Sequence, residues 1–384
     1  MRIYLDHNAT TPIRPEVFEA MTEVLGEGFG NPSSVYLEGA KARERVEEAR
    51  TRVAALVGVA AEDIRFTGGA TESNNTVLFG CLSAGDHVVT TQVEHPSIAA
   101  PLAVLEERGV TVTRVAPDRD GCVAAPEMAA ALTDRTKLLT MIWGNNETGS
   151  IQPIEEVARI CHERGVLMHV DATQAIGKCP VDLGRIPVNY VSSSAHKLNG
   201  PKGVGALISR DLGSTRQSAA LPPYLYGGGQ EKGLRGGTEN VASIVGYGVA
   251  CALARTEGAS LAEEGGKLRE RLWQGIERSI EAVRWNGGRE RTLPNTLNVE
   301  FEGLAGEVLL QALDLEGVAV SAGAACHSGS LEPSGVLLAM GRTVEQARSS
   351  LRFSTGWGVD EAQIDRVVGL LGELVPRVRE ADAP

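Results

Sequence analysis

Val166-Leu167-Met168-His169-Val170-Asp171-Ala172-Thr173-Gln174, followed by Val188-Asn189-Tyr190-Val191-Ser192-Ser193-Ser194-Ala195-His196-Lys197, is the stretch from which the fold can be read. Each half is a short β-rich run that stops in polar residues. Runs of this kind recur from about residue 60 to 215: Ile64-Arg65-Phe66, His87-Val88-Val89-Thr90, Val110-Thr111-Val112, Leu138 to Ile142 and Val204 to Ile208. Between them, segments such as Ser97 to Glu107 and Ile154 to Glu163 have helical composition and spacing. That alternation predicts an α/β fold built from crossover units, with a mostly parallel sheet flanked by helices. Ligands of such sheets bind beyond the carboxyl ends of the strands, where the polar motifs fall.

Two of those strand ends carry an acid, Asp171, and an amine, Lys197. Pyridoxal phosphate (PLP) needs such a pair: the lysine forms a Schiff base, and the carboxylate keeps the pyridine nitrogen protonated so that the ring can accept electrons. A surface lysine beside a loop is the bland alternative. The hydroxyl-rich lead-in and the following Gly200-Pro201-Lys202-Gly203-Val204-Gly205 argue against a solvated helix end.

The chain has 384 residues, enough for two domains. A glycine-rich stretch (Gly227-Gly228-Gly229, Gly236-Gly237) precedes a long helical region in which Leu268, Leu272, Ile276, Ile280 and Val283 make one apolar face. Asn298 to Phe301 and Val318 to Val320 then read as strands of a smaller α+β unit. The expected division is a large domain over 1–250, its segment 1–20 packing by the active site, and a small domain over 251–384. A formal net charge of -12 argues against a nucleic-acid footprint. No signal-like opening and no bilayer-length apolar run are present, so a cytoplasmic protein with no membrane contact is expected. The six cysteines are scattered, with no zinc spacing and no preformed metal site expected. Inert packing is the default for Cys81, Cys161, Cys179 and Cys251.

The remaining motifs are weaker singly. Phe66-Thr67-Gly68-Gly69-Ala70-Thr71-Glu72-Ser73-Asn74 runs from a strand through glycines toward a helix start, which suits an anion, with Thr71 adding a hydroxyl. A plain β–α turn fits it equally. His95, in Glu94-His95-Pro96, has the chemistry to stack on a planar cofactor and exchange protons, or simply to close a turn. Asn146, in Asn145-Asn146-Glu147-Thr148-Gly149, suits a cofactor oxygen or a carboxylate, and also a turn. Cys326 lies among small residues, Ser321 to Ser330, with nothing periodic to bury it. An exposed thiol has a pKa near ~8.5, and its thiolate attacks sulfur. The forked guanidinium of Arg352, expected at a strand end, fits an α-carboxylate, or a surface salt bridge.

Together these residues resemble the cysteine desulfurases of the class V branch of fold-type I PLP enzymes. The likeness runs from Tyr4-Leu5-Asp6-His7-Asn8-Ala9-Thr10-Thr11 to Arg352 and takes in Gly30-Asn31-Pro32-Ser33-Ser34 and Gly229 to Arg235. The resemblance implies PLP on Lys197, Asp171 at the pyridine nitrogen, Gln174 at the phenolic oxygen and His95 over the ring. It implies a phosphate held by Ala70, Thr71, Ser194 and His196, joined by Thr238 from the partner of a homodimer. Asn146 and Arg352 would hold the carboxylate of L-cysteine, with Asn8 and Asn31 nearby. Cys326 would take the sulfur as a persulfide, leaving L-alanine, and pass it to an acceptor protein for iron–sulfur cluster assembly or other thiolation. A transient iron–sulfur contact at Cys326 belongs to the same implication, as does a long mobile loop around it. His327 departs from the family, standing where a hydroxyl residue is common. Selenocysteine lyase and a class V aminotransferase are the neighbouring alternatives.

Overall fold

The computed structural model describes residues 2–213, 220–322 and 332–382. Seven strands form the main sheet, in the order Ile64–Thr67, Gly205–Ser209, Tyr190–Ser194, Leu167–Asp171, Thr136–Ile142, His87–Thr91, Thr111–Val115. All neighbours pair in parallel except Gly205–Ser209, which is antiparallel to both of its partners. The central strands are buried at every position but Lys137 and are rich in Val, Ile, Leu and Met, as a sheet covered on both faces requires. One consequence fixes the site: Thr67, Thr91, Ile142, Asp171 and Ser194 all end at the same edge.

Helices Ala70–Cys81, Pro96–Glu107 and Ile154–Arg164 follow three of these strands as crossovers. The 96–107 helix begins where Pro96 cannot donate and His95 caps the Ser97 N–H. The 154–164 helix has Glu155 and Glu156 in its first turn, His162 and Arg164 in its last, and Gly165 left-handed at its end. Gly205 is a glycine for a steric reason: a Cβ there would lie 2.4 Å from the Ser193 carbonyl oxygen and 2.7 Å from the Gly69 Cα. The 68–69 turn thus rests on bare backbone.

A second apolar core holds Leu268, Leu272, Trp273, Leu309 and Phe353 against a three-stranded antiparallel sheet, Val283–Trp285, Thr296–Phe301 and Ser350–Ser354. Ile3 and Leu5 belong to this core, because strand Ile3–Tyr4 pairs in parallel with Val318–Ala319. The chain therefore starts in the C-terminal body and crosses to the main sheet. Helix Val241–Ser279 links the two cores, capped by the Asn240 side chain on the Ser243 N–H.

Two expectations are corrected. Ile280 and Val283 do not continue the helical face of Leu268, Leu272 and Ile276: the helix stops at Ser279, Ile280 is extended (φ -134°, ψ 122°), and Val283 opens a strand opposite Phe301. Both elements face one core, so apolar spacing runs on across the turn at Ala282 (φ 53°). Arg352 sits in the middle of its strand, opposite Asn298, rather than at the end.

The glycine-rich segment before the long helix is held by a buried ion pair. Arg50 Nη1 and Nη2 donate to the two Glu231 oxygens at 2.7 and 2.9 Å, and the Phe66 N–H adds a third bond at 2.9 Å. Glu231 and Lys232 adopt left-handed backbone (φ 47° and 56°), a conformation that needs such support in non-glycine residues. Removing one partner of a buried pair strands the other charge, at a cost of about 3 kcal/mol or more. Glu231→Ala should lower the unfolding free energy by about that amount in urea titrations. A loss below about 1 kcal/mol, the value of an exposed pair, would mean that Glu47 and the Ile64 carbonyl oxygen, which Arg50 also reaches at 3.2 and 3.0 Å, suffice for its charge.

Candidate active site

Lys197 lies in a 3-10 turn, Ala195–Lys197, directly after strand Tyr190–Ser194. Its Nζ donates to the Asn8 and Ala9 carbonyl oxygens at 2.5 and 2.8 Å. Burial, and then the nearby Arg352, push its pKa down to about 8, against the pull of Asp6 and Asp171. An amine so placed is nucleophilic near neutrality. Asp171, 3% exposed, ends the adjacent strand. Its Oδ1 accepts from the Thr173 N–H at 3.0 Å and its Oδ2 from Asn74 Nδ2 at 2.9 Å.

Asn74 ties this carboxylate to His95. Its other N–H goes to Ser97 Oγ at 2.8 Å. That leaves the Ser97 hydroxyl proton for His95 Nδ1, 2.7 Å away, which also accepts the Ser97 backbone N–H at 3.1 Å. A carboxylate oxygen beside Asn74 requires a donor, so the amide orientation is fixed, and with it the imidazole tautomer. Neutral His95 carries its proton on Nε2. Burial favours that neutral form by lowering the His95 pKa. Asn74 and Ser97 escaped sequence reasoning, since nothing in the spacing of 74, 97 and 171 relates them.

Gln174 Nε2 donates to the Asn8 carbonyl oxygen at 2.9 Å. Arg352, 3% exposed, donates to the Asn146 carbonyl oxygen at 2.9 Å and to Asp6 Oδ1 at 2.6 Å, while its buried Nε has no partner among the described residues. Asn8 Nδ2 reaches the same Asn146 carbonyl at 3.1 Å. Lys197, Gln174, Asn8, Asn146 and Arg352 thus form one connected cluster. His196 joins it through Thr10, its Nδ1 lying 3.2 Å from Thr10 Oγ1. Ala70 and Thr71 open the 70–81 helix, whose cap residue, Gly69 at φ 144°, offers no side chain to the first N–H groups. Ser194 Oγ lies 3.7 Å from where a Gly69 Cβ would stand.

Three predicted residues lie elsewhere. Asn31 is exposed and uses its amide oxygen on the Ser33 N–H, within its own loop. Thr238 is exposed in the single chain. Cys326 lies outside the described residues, but both flanks of its segment touch the cluster. Ser321 exchanges backbone hydrogen bonds with Arg352, and Ser334 donates to buried Glu147, the neighbour of Asn146, at 2.5 Å. The five remaining cysteines are free, four of them buried.

Residues 3–367 match the class-V aminotransferase family. A cysteine desulfurase IscS of Dictyoglomus turgidum is 41% identical over 381 residues, covering 98% of this chain and 95% of the relative. This chain belongs to the class-V aminotransferases, in their cysteine desulfurase branch. A solved NifS-like protein superposes on the desulfurase chain with TM-score 0.90 and 35% identity, covering 98% and 100% of the two chains. The structure titled SspA in complex with cysteine gives 0.79 and 33%, covering 93% and 99%. The fold is that of the fold-type I PLP enzymes. Enzymes of this family depend on PLP, and the desulfurase cluster fits the group: an amine of lowered pKa, a buried carboxylate, and an uncapped helix N-terminus with two hydroxyls for a phosphate.

Glu94, next to His95, stands close to Asp171. Its Oε1 accepts from Thr91 Oγ1 at 2.5 Å and from the Ile142 N–H at 3.1 Å, while its buried Oε2 has no partner among the described residues. Burial pushes its pKa up to about 8. The folded state therefore holds a proton that the unfolded chain releases near pH 4.5, and stability falls as pH rises from about 4.5 to 8. Glu94→Gln keeps both bonds at Oε1 and removes the titration. The variant should lose that part of the decline between pH 5 and 8 in urea midpoints; a slope identical to the parent's would show that Glu94 is not the group responsible.

Proposed function

We propose that this enzyme removes sulfur from L-cysteine, giving L-alanine and a persulfide on Cys326. What carries the reading is the cluster in which Lys197, Gln174, Asn146 and Arg352 meet around Asn8, with Asp171 ending the strand beside the one that leads to Lys197 and both flanks of the Cys326 segment attached to the cluster. Four residues lie between Ser321 and Cys326, so chain length keeps the two Cα atoms within about 18 Å of each other. Lys197 would hold the cofactor, and its free amine has the pKa to take the Cα proton. Bound PLP supplies the electron sink for that carbon. Asp171 meets the pyridine nitrogen, Gln174 the phenolic oxygen and His95 the ring face. Ala70, Thr71, Ser194 and His196 take the phosphate.

Arg352 and Asn146, with Asn8, orient the substrate carboxylate, and the unpartnered Arg352 Nε supplies a donor for it. Cys326 thiolate attacks the substrate sulfur, the C–S bond breaks, and protonation of the remaining three-carbon skeleton yields alanine. His95, neutral and protonated on Nε2, is placed to donate a hydrogen bond to the substrate sulfur. The persulfide then passes to an acceptor protein, in iron–sulfur assembly or another thiolation. A homodimer is supported by exposed Phe18, Leu25, Phe29, Val35, Tyr36 and Tyr226. Pro32 and Ser33 share a cavity with Gly229 and Gln230, so this apolar surface adjoins the segment leading to Thr238. A second copy there would bring Thr238 to the neighbouring phosphate.

Purified enzyme fed L-cysteine with a reductant should release sulfide and alanine in equal amounts. Cys326→Ala should lose at least about 100-fold in turnover, the loss expected of a missing nucleophile, while keeping its visible cofactor band. Lys197→Ala should lose both turnover and the lysine-linked band. Wild-type rates in Cys326→Ala would overturn the assignment of the nucleophile, and pyruvate as the main product would favour transamination or elimination.

A further inference from the structure

The roles above leave one buried amine without a task. Lys178 projects into the cluster four residues after Gln174. Its Nζ donates to Gln174 Oε1 and to Asn8 Oδ1, the latter at 3.1 Å. Gln174 in turn sends one amide N–H to the Asn8 carbonyl oxygen at 2.9 Å, which leaves its second N–H available. The Asn8 carbonyl oxygen is acceptor-only and draws the Gln174 N–H to itself, which leaves the Gln174 oxygen facing the Lys178 amine and the amide a single orientation. Without Lys178 the Gln174 oxygen would lose its donor among the described residues, and the side chain would keep only the Asn8 bond there.

Burial, followed by the charges of Lys197 and Arg352, lowers the Lys178 pKa strongly. Lys178 therefore works as a hydrogen-bond donor more than as a fixed charge. The titratable groups that face it are Lys197, Arg352, Cys179, His7 and His196.

We propose that Lys178 is a positioning residue for Gln174, holding its side-chain carbonyl so that the amide presents N–H, never C=O, to the cofactor's phenolic oxygen. The proposal rests on the assignment of Gln174 given above. An N–H donated to that oxygen stabilises its anionic form and makes it a poorer acceptor for the Schiff-base proton. The lysine-linked cofactor then deprotonates at lower pH, so losing the donor raises the midpoint of that titration.

The test is a spectrophotometric pH titration of the visible band in resting holoenzyme, without cysteine. Lys178→Met and Gln174→Leu should each raise the midpoint by about 0.5–1 unit, the equivalent of one hydrogen bond. The double variant should move no further than Gln174→Leu alone, because both act through one contact. Lys178→Gln ends one atom short of Gln174 and stays polar. It should show the same rise, and carries the test if the methionine variant does not fold. A midpoint unmoved by either Lys178 variant, with Gln174→Leu shifted, overturns the proposal. Full additivity in the double variant also overturns it. An unmoved midpoint in Gln174→Leu instead overturns the Gln174 assignment itself, and with it the role of Lys178. A merely structural lysine would lower the melting temperature and leave the midpoint where it was.

Discussion

Everything at the site hangs on one neutral amide, Asn8. Its backbone N–H donates to Ser354 Oγ, and its carbonyl oxygen accepts from Gln174 and Lys197. The side-chain oxygen takes Lys178 and Asn295, while the side-chain nitrogen gives to Asn146 and Thr296. Gln174, Lys178, Lys197 and Asn146 come from the edge of the main sheet; Asn295, Thr296 and Ser354 come from the C-terminal body. One residue, 1% exposed, thus holds both bodies in register around the reactive amine. Each bond adds only about 1 kcal/mol net, but a fully satisfied buried network strengthens its members and penalises any single break. Aspartate could not replace it, having no N–H for Asn146 or Thr296.

Asn8 reaches that position because of strand Ile3–Tyr4. Parallel pairing with Val318–Ala319 and burial of Ile3 and Leu5 in the second core fix where the chain begins its crossing. The carbonyl groups of Asn8 and Ala9, just beyond the strand, are then delivered to Lys197 as acceptors. Secondary structure far from the chemistry in fold terms therefore sets the environment of one nitrogen atom.

Much of this was legible in the residues. Alternating β-rich runs and helical segments predicted the parallel sheet, and polar strand ends marked Asp171, His95, Asn146 and Lys197 before any geometry. Periodicity reports which face is buried and not which element buries it, so Ile280 and Val283 read as helix while sitting beyond its end. A two-residue strand leaves no periodic trace, and the pairing of Ile3–Tyr4 with residues more than 300 positions away could not be seen. Asn74, Ser97 and Lys178 were hidden for a different reason. They act through other side chains, and their residue types are ordinary until a neighbour gives them a role. Cys326 is the opposite case: the reading of it rests on its surroundings in the sequence.

Two carboxyls, Glu94 and Asp171, lie within electrostatic reach of each other beside a single imidazole. Asp171 has a donor on each oxygen, whereas Glu94 has two donors on one oxygen and none on the other. Burial, which leaves one Glu94 oxygen without a donor among the described residues, keeps Glu94 protonated to about pH 8, so that it adds no negative charge to the pocket at neutrality. Were Glu94 ionised at neutrality, His95 would face two anions and be drawn toward the imidazolium. A neutral ring presents one N–H to the pocket, and the hydrogen-bonded path from Asp171 through Asn74 and Ser97 fixes Nε2 as the nitrogen that holds it. The neutral glutamate and the oriented histidine are therefore one arrangement, set by where three adjacent strands end.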